Sequence, residues 1–414
     1  MKIINYFSNF ITNEKKIIYL IFFLPIALFV GSTVSNLVIF LIIFIFIYEI
    51  FKKKEINFIF NKEFIIFITL YLYLILNSIF LTENFESITR AIGFIRFPIL
   101  AYAIAFYCSI ENNKYQNKIL NFWFLLFSIV TIDILFEFTI GFNLLGFKAI
   151  YPGRIASFTG DELKIGGYYF AFILFAISFV KYNLKKNIYL ILLLFLVTSL
   201  LIGEKANFIK VFFITSIFLF FIDKHSYLKK IFFIGTFVAI AFIIVQSTPA
   251  FKSRFYHHIF IDQNTNKLIF IGKNIKDLAK TNQYINHYLT AIEIFKDNKI
   301  FGAGLKNFRY VSHKKKYNLV EGARRGGSTH PHQIHFEILS ETGLVGYILL
   351  FGMLIYFMVK GLNSFVKSKN ILNLSAFIFV LATLLPLIPS GSFFTSYTAT
   401  LFWINFSFLL KKNF

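Results

Sequence analysis

The feature that most constrains this chain is a succession of apolar runs of about 16 to 20 residues, each long enough to cross a hydrocarbon core of ~30 Å as a helix. They recur along almost the whole sequence. A water-soluble domain cannot hide that much apolar surface, because buried volume is bounded by surface-to-volume scaling. Hydrophobic residues fill 57% of the 414 positions and Phe alone occurs 60 times, so the runs are not a few isolated core helices. The chain reads as a membrane protein.

About twelve spans are expected, near 17–31, 33–51, 64–82, 91–110, 119–138, 167–182, 187–203, 208–222, 230–247, 343–360, 371–388 and 393–410. Short connections between them divide sharply by charge. Lys2, Lys15, Lys16, Lys52 to Lys54, Lys62, Lys114, Lys118, Lys181, Lys185, Lys186, Lys224, Lys229, Lys230, Lys360, Lys367, Lys369, Lys411 and Lys412 fall on one side. The short loops opposite hold only Arg90 and Lys205. Such asymmetry places the lysine-rich side, with both termini, in the cytoplasm. No cleavage site follows the first apolar run, so it reads as a retained span. The expected fold class is all-α: a polytopic membrane protein with about twelve transmembrane helices and a large periplasmic loop with helical segments. One integral membrane domain, 1–414, would carry that loop at 247–342, between the ninth and tenth helices.

The formal charge of +22 invites a nucleic-acid reading, which the outward position of the surplus argues against. Between Ala250 and His330 fifteen Lys and Arg face five Asp and Glu. Long loops escape the positive-inside rule, so this excess is either a solvated lysine surface or a cationic face for anionic ligands such as lipid phosphates. The lone cysteine, Cys108, lies in an apolar run, which leaves no disulfide framework or thiolate cluster.

The densest polar cluster runs from Arg324 and Arg325 through Gly326, Gly327, Ser328, Thr329, His330, Pro331, His332, Gln333 and His335 to Glu341. Two adjacent glycines permit close approach to a ligand, and Pro331 can open a helix. A helix from Gln333 to Leu339 would put His332 and His335 on one face, with Glu341 about two turns on. A histidine here is suited to general-base work, its unperturbed pKa of ~6.5 lying near working pH. The alternatives are a zinc site, whose spacing is not His-Glu-x-x-His and which no cysteine supports, or ordinary interfacial histidines. Three further outward or intramembrane features bear charge. Arg154 follows Pro152 and Gly153 and is either a phosphate-holding fork or a snorkelling side chain. Glu204 and Lys205 form a polar knot between two apolar runs, and Arg96 lies inside a span just ahead of Pro98.

Together these residues resemble a known family. The block His332-Gln-Ile-His-Phe-Glu-Ile-Leu-Ser-Glu-Thr-Gly-Leu-Val-Gly346 is similar to the His-Asn-x-x-Leu-x-x-x-x-Glu-x-Gly-x-x-Gly signature of the O-antigen ligase and polymerase family. Upstream, Gly302-Ala-Gly304-Leu-Lys-Asn-Phe308 resembles its Gly-x-Gly-x-x-x-Phe segment, and Gly203-Glu-Lys-Ala-Asn207 its Gly-Glu-Arg-x-Asn motif. The likeness spans roughly 150–350, in the family's order. Lys205 stands where arginine is usual and so lacks the bidentate fork; Gln333 replaces asparagine and Phe336 leucine.

What the resemblance implies is a metal-independent, GT-C-like glycosyltransferase with no cofactor, acting at the outer face of a bacterial inner membrane. The donor would be an undecaprenyl-diphosphate-linked glycan. The acceptor would be lipid A–core for a ligase, the preferred reading, or another lipid-linked glycan for a polymerase. By that pattern His332 is the general base and Arg154 and Lys205 hold the diphosphate, with Arg324 and Arg325 as further cations. His330, His335, Glu204, Glu341 and Arg96 would support them. A transporter or flippase of lipid-linked sugar is the competing class; it predicts midplane charges and two similar halves, and neither pattern is present.

Overall fold

The computed structural model describes residues 14–59, 61–110, 114–162, 164–183, 188–222, 227–257, 274–317 and 328–411. Among these, all regular structure is helical. In chain order the helices are α1 (Glu14–Val30), α2 (Ser32–Lys52), α3 (Lys62–Leu81), α4 (Phe85–Phe94), α5 (Arg96–Ser109) and α6 (Lys114–Ile140). Next come α7 (Ile165–Asn183), α8 (Ile188–Leu201), α9 (Lys205–Ile222) and α10 (Tyr227–Ser247). A long connection carries α11 (Ile275–Thr281) and α12 (Gln283–Asp297), and α13 (Ile334–Ser368), α14 (Ile371–Thr383) and α15 (Ser396–Leu410) follow.

Each expected apolar segment overlaps a helix, and among the described residues seven segments are long and apolar enough to cross a membrane. These are α2, α3, the pair α4–α5 taken together as Phe85–Ser109, α6, α7, α10 and α13. The apolar helices α1, α8 and α14 are shorter; α14, with 13 residues, spans only ~20 Å at 1.5 Å per residue. Irregular backbone at 384–395 continues from it; Ser392, Phe393 and Phe394 are buried in it, while Leu387 is exposed.

At the centre α15 lies along α5 and against α13, α14 and α7. Phe67 of α3, Phe357 of α13 and Trp403 and Phe406 of α15 interlock there, with ring centroids 5.0 to 6.1 Å apart. Apolar packing between helices gains little over lipid, so buried polar contacts also fix the register. The Ser178 and Ser375 hydroxyls meet at 2.9 Å, and the Asn405 amide donates to the Ala171 carbonyl at 3.0 Å.

Two devices hold irregular chain at one end of the bundle. The first is a break in α13 at Gly343, where φ is 67° and ψ −168°. Residues 298–304 of the long connection dock into it. Leu344 and Val345 donate their amides to the Lys299 and Ile300 carbonyls at 2.9 and 3.1 Å, while Ala303 and Gly304 donate to Ser340 and Glu341, both at 2.9 Å. Backbone groups freed by the break therefore find partners, as they must in a dry setting. From α3, Asn77 clamps the same segment, donating to the Phe301 carbonyl at 2.7 Å and accepting from the Leu305 amide at 2.8 Å. Ser87 of α4 donates to the Leu305 carbonyl at 2.6 Å, and Arg309 pairs with Glu86 at 2.8 Å.

The second device is a pair of acids in the last turns of α6. Glu137 accepts the Ala156 and Ser157 amides at 2.9 and 2.6 Å; Asp133 accepts the Ser157 hydroxyl at 2.7 Å and the Leu144 amide at 2.8 Å. They shape the connection from α6 to α7, and so place Arg154. At the opposite end of α3 and α13, Lys360 pairs with Glu63, which makes the two helices antiparallel.

Candidate functional site

Backbone contact creates the first half of the site. Gly203, between α8 and α9, has φ 74°, and a Cβ there would stand 3.0 Å from the Gly153 carbonyl carbon. The Ile155 amide donates to the Ile202 carbonyl at 3.1 Å, fixing this crossing. Around it gather four polar side chains. Arg154 Nη2 donates to Glu204 Oε1 at 2.5 Å, and Asn207 Nδ2 donates to Glu204 Oε2. Arg254, on the single π-helical turn Ser253–His257, lays Nε and Nη2 on the Gly203 carbonyl at 3.2 and 3.0 Å. Its Cδ lies 2.9 Å from where a Gly153 Cβ would be. Burial raises the Glu204 carboxyl above its ordinary range, even though Arg154, Asn207 and Arg254 oppose the shift. Desolvation outweighs attraction here. Lys205 begins α9 at the same corner, half-buried, with no hydrogen bond or ion pair among the described residues.

The histidines form the second half. Helix α13 begins at Ile334, so His332 precedes it and, contrary to what the spacing predicts, does not share a helix face with His335. Gln333 is the N-cap, its side-chain oxygen accepting the His335 and Phe336 amides at 2.7 and 3.1 Å. His332 sits at φ 61°, in the left-handed region that histidine enters more readily than most residues. This turn swings its ring away from α13, toward His330 at 4.1 Å between centroids, His287 at 5.6 Å and Tyr284 at 5.5 Å. His287 and Tyr284 are a turn apart on α12, whose Tyr288 packs against Phe336 with ring centroids 4.8 Å apart. His335 points elsewhere. Its Nδ1 meets the Tyr347 hydroxyl at 2.9 Å, its Nε2 the Leu384 carbonyl at 2.8 Å, and its ring stacks on Phe351.

Burial first, then the neighbouring imidazoles, depresses His332 to about 3. Burial, with Lys306 next, depresses His330 to about 4. Beneath them lies a buried charge cluster in which the sequence had marked Glu341 but neither Lys306 nor Glu337. Lys306, 2% exposed, donates to Ser392 Oγ at 2.7 Å and lies 3.7 Å from Glu337 Oε1. Glu337 also accepts the Phe393 amide at 2.9 Å and the Ser392 hydroxyl. Glu341 is fully buried and accepts the Lys306 amide at 2.8 Å and the Phe308 amide at 3.4 Å, so it holds the loop that carries Lys306. Among the described residues no three His, Cys, Asp or Glu side chains converge as a metal cage requires.

Tyr284 joins the halves. Its ring stands edge-on to His332, and its phenol lies within electrostatic reach of Arg254. Residues 190–351 match the family described as O-antigen ligase, a stretch that holds Glu204, Lys205, Arg254, Tyr284, Lys306 and His332. This part of the chain is similar to the O-antigen ligase family. The matched domain covers less than half of the chain, and Arg154, Asn77 and Glu137 lie outside it. No curated protein matches the sequence.

Within this O-antigen ligase domain and its surroundings, the predicted residues divide. His330, His332, Arg154, Glu204 and Lys205 reach the two adjoining clusters. Arg96 does not: it donates to the Gly93 carbonyl at 2.8 Å and Ser396 Oγ at 3.0 Å, and its guanidinium lies 4.4 Å over the Phe97 ring. It ties the α4–α5 corner to α15. Arg324 and Arg325 lie outside the described residues. Arg254, Tyr284, His287 and Lys306 were missed. Only the Gly-x-Gly run hinted at the last of these, since Lys306 follows it by two residues.

Proposed function

We propose that the protein is an O-antigen ligase-like glycosyltransferase of the bacterial inner membrane, its site facing the periplasm. In this reading it moves a glycan from an undecaprenyl-diphosphate carrier to lipid A–core. The observation that carries it is Tyr284, which stands edge-on to the His332 ring and within electrostatic reach of Arg254, near Arg154 and Lys205. A base thus lies beside a cationic corner, which suits displacement of an anionic diphosphate by a hydroxyl.

The acceptor hydroxyl gives its proton to neutral His332 and attacks the anomeric carbon. The bond from that carbon to the diphosphate oxygen breaks, and the diphosphate keeps the electron pair. Arg154, Arg254 and Lys205 stabilise the charge that develops on it. Arg154 is held by Glu204, and Arg254 by the Gly203 carbonyl, so both are positioned before the donor arrives. With its proton affinity held down in the resting site, His332 rests as the neutral base. An anionic donor nearby raises that affinity, which favours proton capture only once the donor is bound. The reaction needs no metal or nucleotide.

The test is complementation of a deletion strain, read on the lipopolysaccharide ladder. Wild type restores O-antigen-bearing bands, and His332→Ala accumulates in the membrane without restoring them. Restoration by His332→Ala sinks the proposal. A single-repeat band in the deletion strain assigns the polymerase reaction in place of the ligase.

A further inference from the structure

Catalysis as proposed leaves a proton on His332 at every turnover, and the structure bears on where it goes. His332 is half-buried. On one side is His330, 8% exposed, whose Nδ1 meets Thr329 Oγ1 at 3.0 Å and whose Nε2 faces the Ser390 carbonyl at 3.4 Å. Both nitrogens of that ring are engaged, and Lys306 lies on its inner side. A proton passed that way would enter a buried pocket next to an ammonium. On the other side is His287, half-buried in the second turn of α12, its ring tilted 31° from that of His332. Neither His287 nor His332 makes a side-chain hydrogen bond among the described residues. A centroid separation of 5.6 Å lets two ring nitrogens exchange a proton directly or through one water.

We infer that His287 is the proton outlet of the site, taking the proton from imidazolium His332 and releasing it to the aqueous side. This rests on the proposed role of His332 and adds a residue to it. In the first step the acceptor O–H bond breaks and an N–H bond forms on His332. In the second that N–H bond breaks, one forms on His287, and solvent then removes it; nothing is oxidised or reduced. The groups facing the pair are His330, Glu337 beneath His332, Lys306 behind His330, Arg309 farther along the loop, and Tyr284 beside Arg254. Glu337 is already engaged by Ser392, Phe393 and Lys306, and no other titratable group among these lies on the open side.

The experiment uses the full chain in nanodiscs, with lipid-linked glycan extracted from the deletion strain as donor and that strain's lipid A–core as acceptor. His287→Ala is expected to leave the first turnover within about twofold of wild type and to lower steady-state turnover about a hundredfold, the lower end of what positioned proton transfer contributes. Added imidazole should restore steady-state turnover in proportion to its concentration. His287→Gln, which keeps bulk and hydrogen bonding, should behave as the alanine variant does. Steady-state turnover near wild type in either variant overturns the outlet. So does equal loss in the first and later turnovers that imidazole does not restore, the signature of a packing role. His332→Ala run alongside separates the two ideas: activity there removes the base itself, whereas an inactive His332→Ala beside a normal His287→Ala removes only the outlet. Exposed His313→Ala serves as the unaffected control.

Discussion

Gly302 and Gly343 meet backbone to backbone: a Cβ on Gly343 would stand 2.5 Å from the Gly302 amide nitrogen, and one on Gly302 2.5 Å from the Glu341 carbonyl oxygen. Both have positive φ, 76° and 67°. The break in α13 and the docked loop therefore depend on each other. Gly302→Ala and Gly343→Ala should each cost about 3 kcal/mol or more, from overlap plus backbone strain. Gly352→Ala, whose Cβ would face open space, should be tolerated. Melting of the detergent-solubilised protein measures the difference, and an unchanged melting temperature for Gly343→Ala would refute the docking.

Lys306 and Glu337 are both buried and share Ser392. Removing one charge strands the other, which typically costs about 3–5 kcal/mol. Lys306→Met should destabilise by that order, and Lys306→Met with Glu337→Gln by less than the two single changes summed. Additive losses would show that the pair is not coupled.

Gln333 caps α13 through its side-chain oxygen, the task asparagine performs at helix starts. Gln333→Asn should keep both the fold and glycan transfer. Gln333→Ala should lose about 1 kcal/mol and a share of activity, because the cap fixes the residue next to His332. Thermal shift and ladder complementation read the two effects. Full activity in Gln333→Ala would separate the cap from the site.

An imidazole of ordinary pKa would shut kcat/KM down below pH ~6.5 as it protonates. His332 is depressed to about 3 in the resting site, so its neutral form persists to lower pH. The acid limb of kcat/KM, which reports the unliganded enzyme, should therefore lie below about pH 5. The limb of kcat should lie higher, because the bound diphosphate favours the protonated ring. A kcat/KM limb near 6.5 would contradict the packing around His332.

The helix-start proline and the histidine spacing pointed to the histidine cluster but mispaired its members. From the spacing, His332 and His335 looked like neighbours on a helix. With the helix starting at Ile334 and His332 at φ 61°, they face apart, and the true neighbours are His287 and Tyr284. Those two come from a stretch more than forty residues upstream, and no local pattern announces such a return. Arg254 looked like one basic residue among many in the long connection. Its meaning comes from the Gly203 carbonyl, about fifty residues away in sequence. Asp133 and Glu137 lay unmarked inside an apolar run until the chain beyond α6 folded back to offer them its amides.

By itself the sequence determined the membrane class and the helical content, and it singled out His332 as the candidate base. Each depends on short-range information: hydropathy over one span, chemistry in one side chain. Only the tertiary structure decided which cations lie near His332, which acids hold the loops, and which rings surround that histidine. Those are long-range pairings, set by where a broken helix lets the connection from α10 return to the bundle.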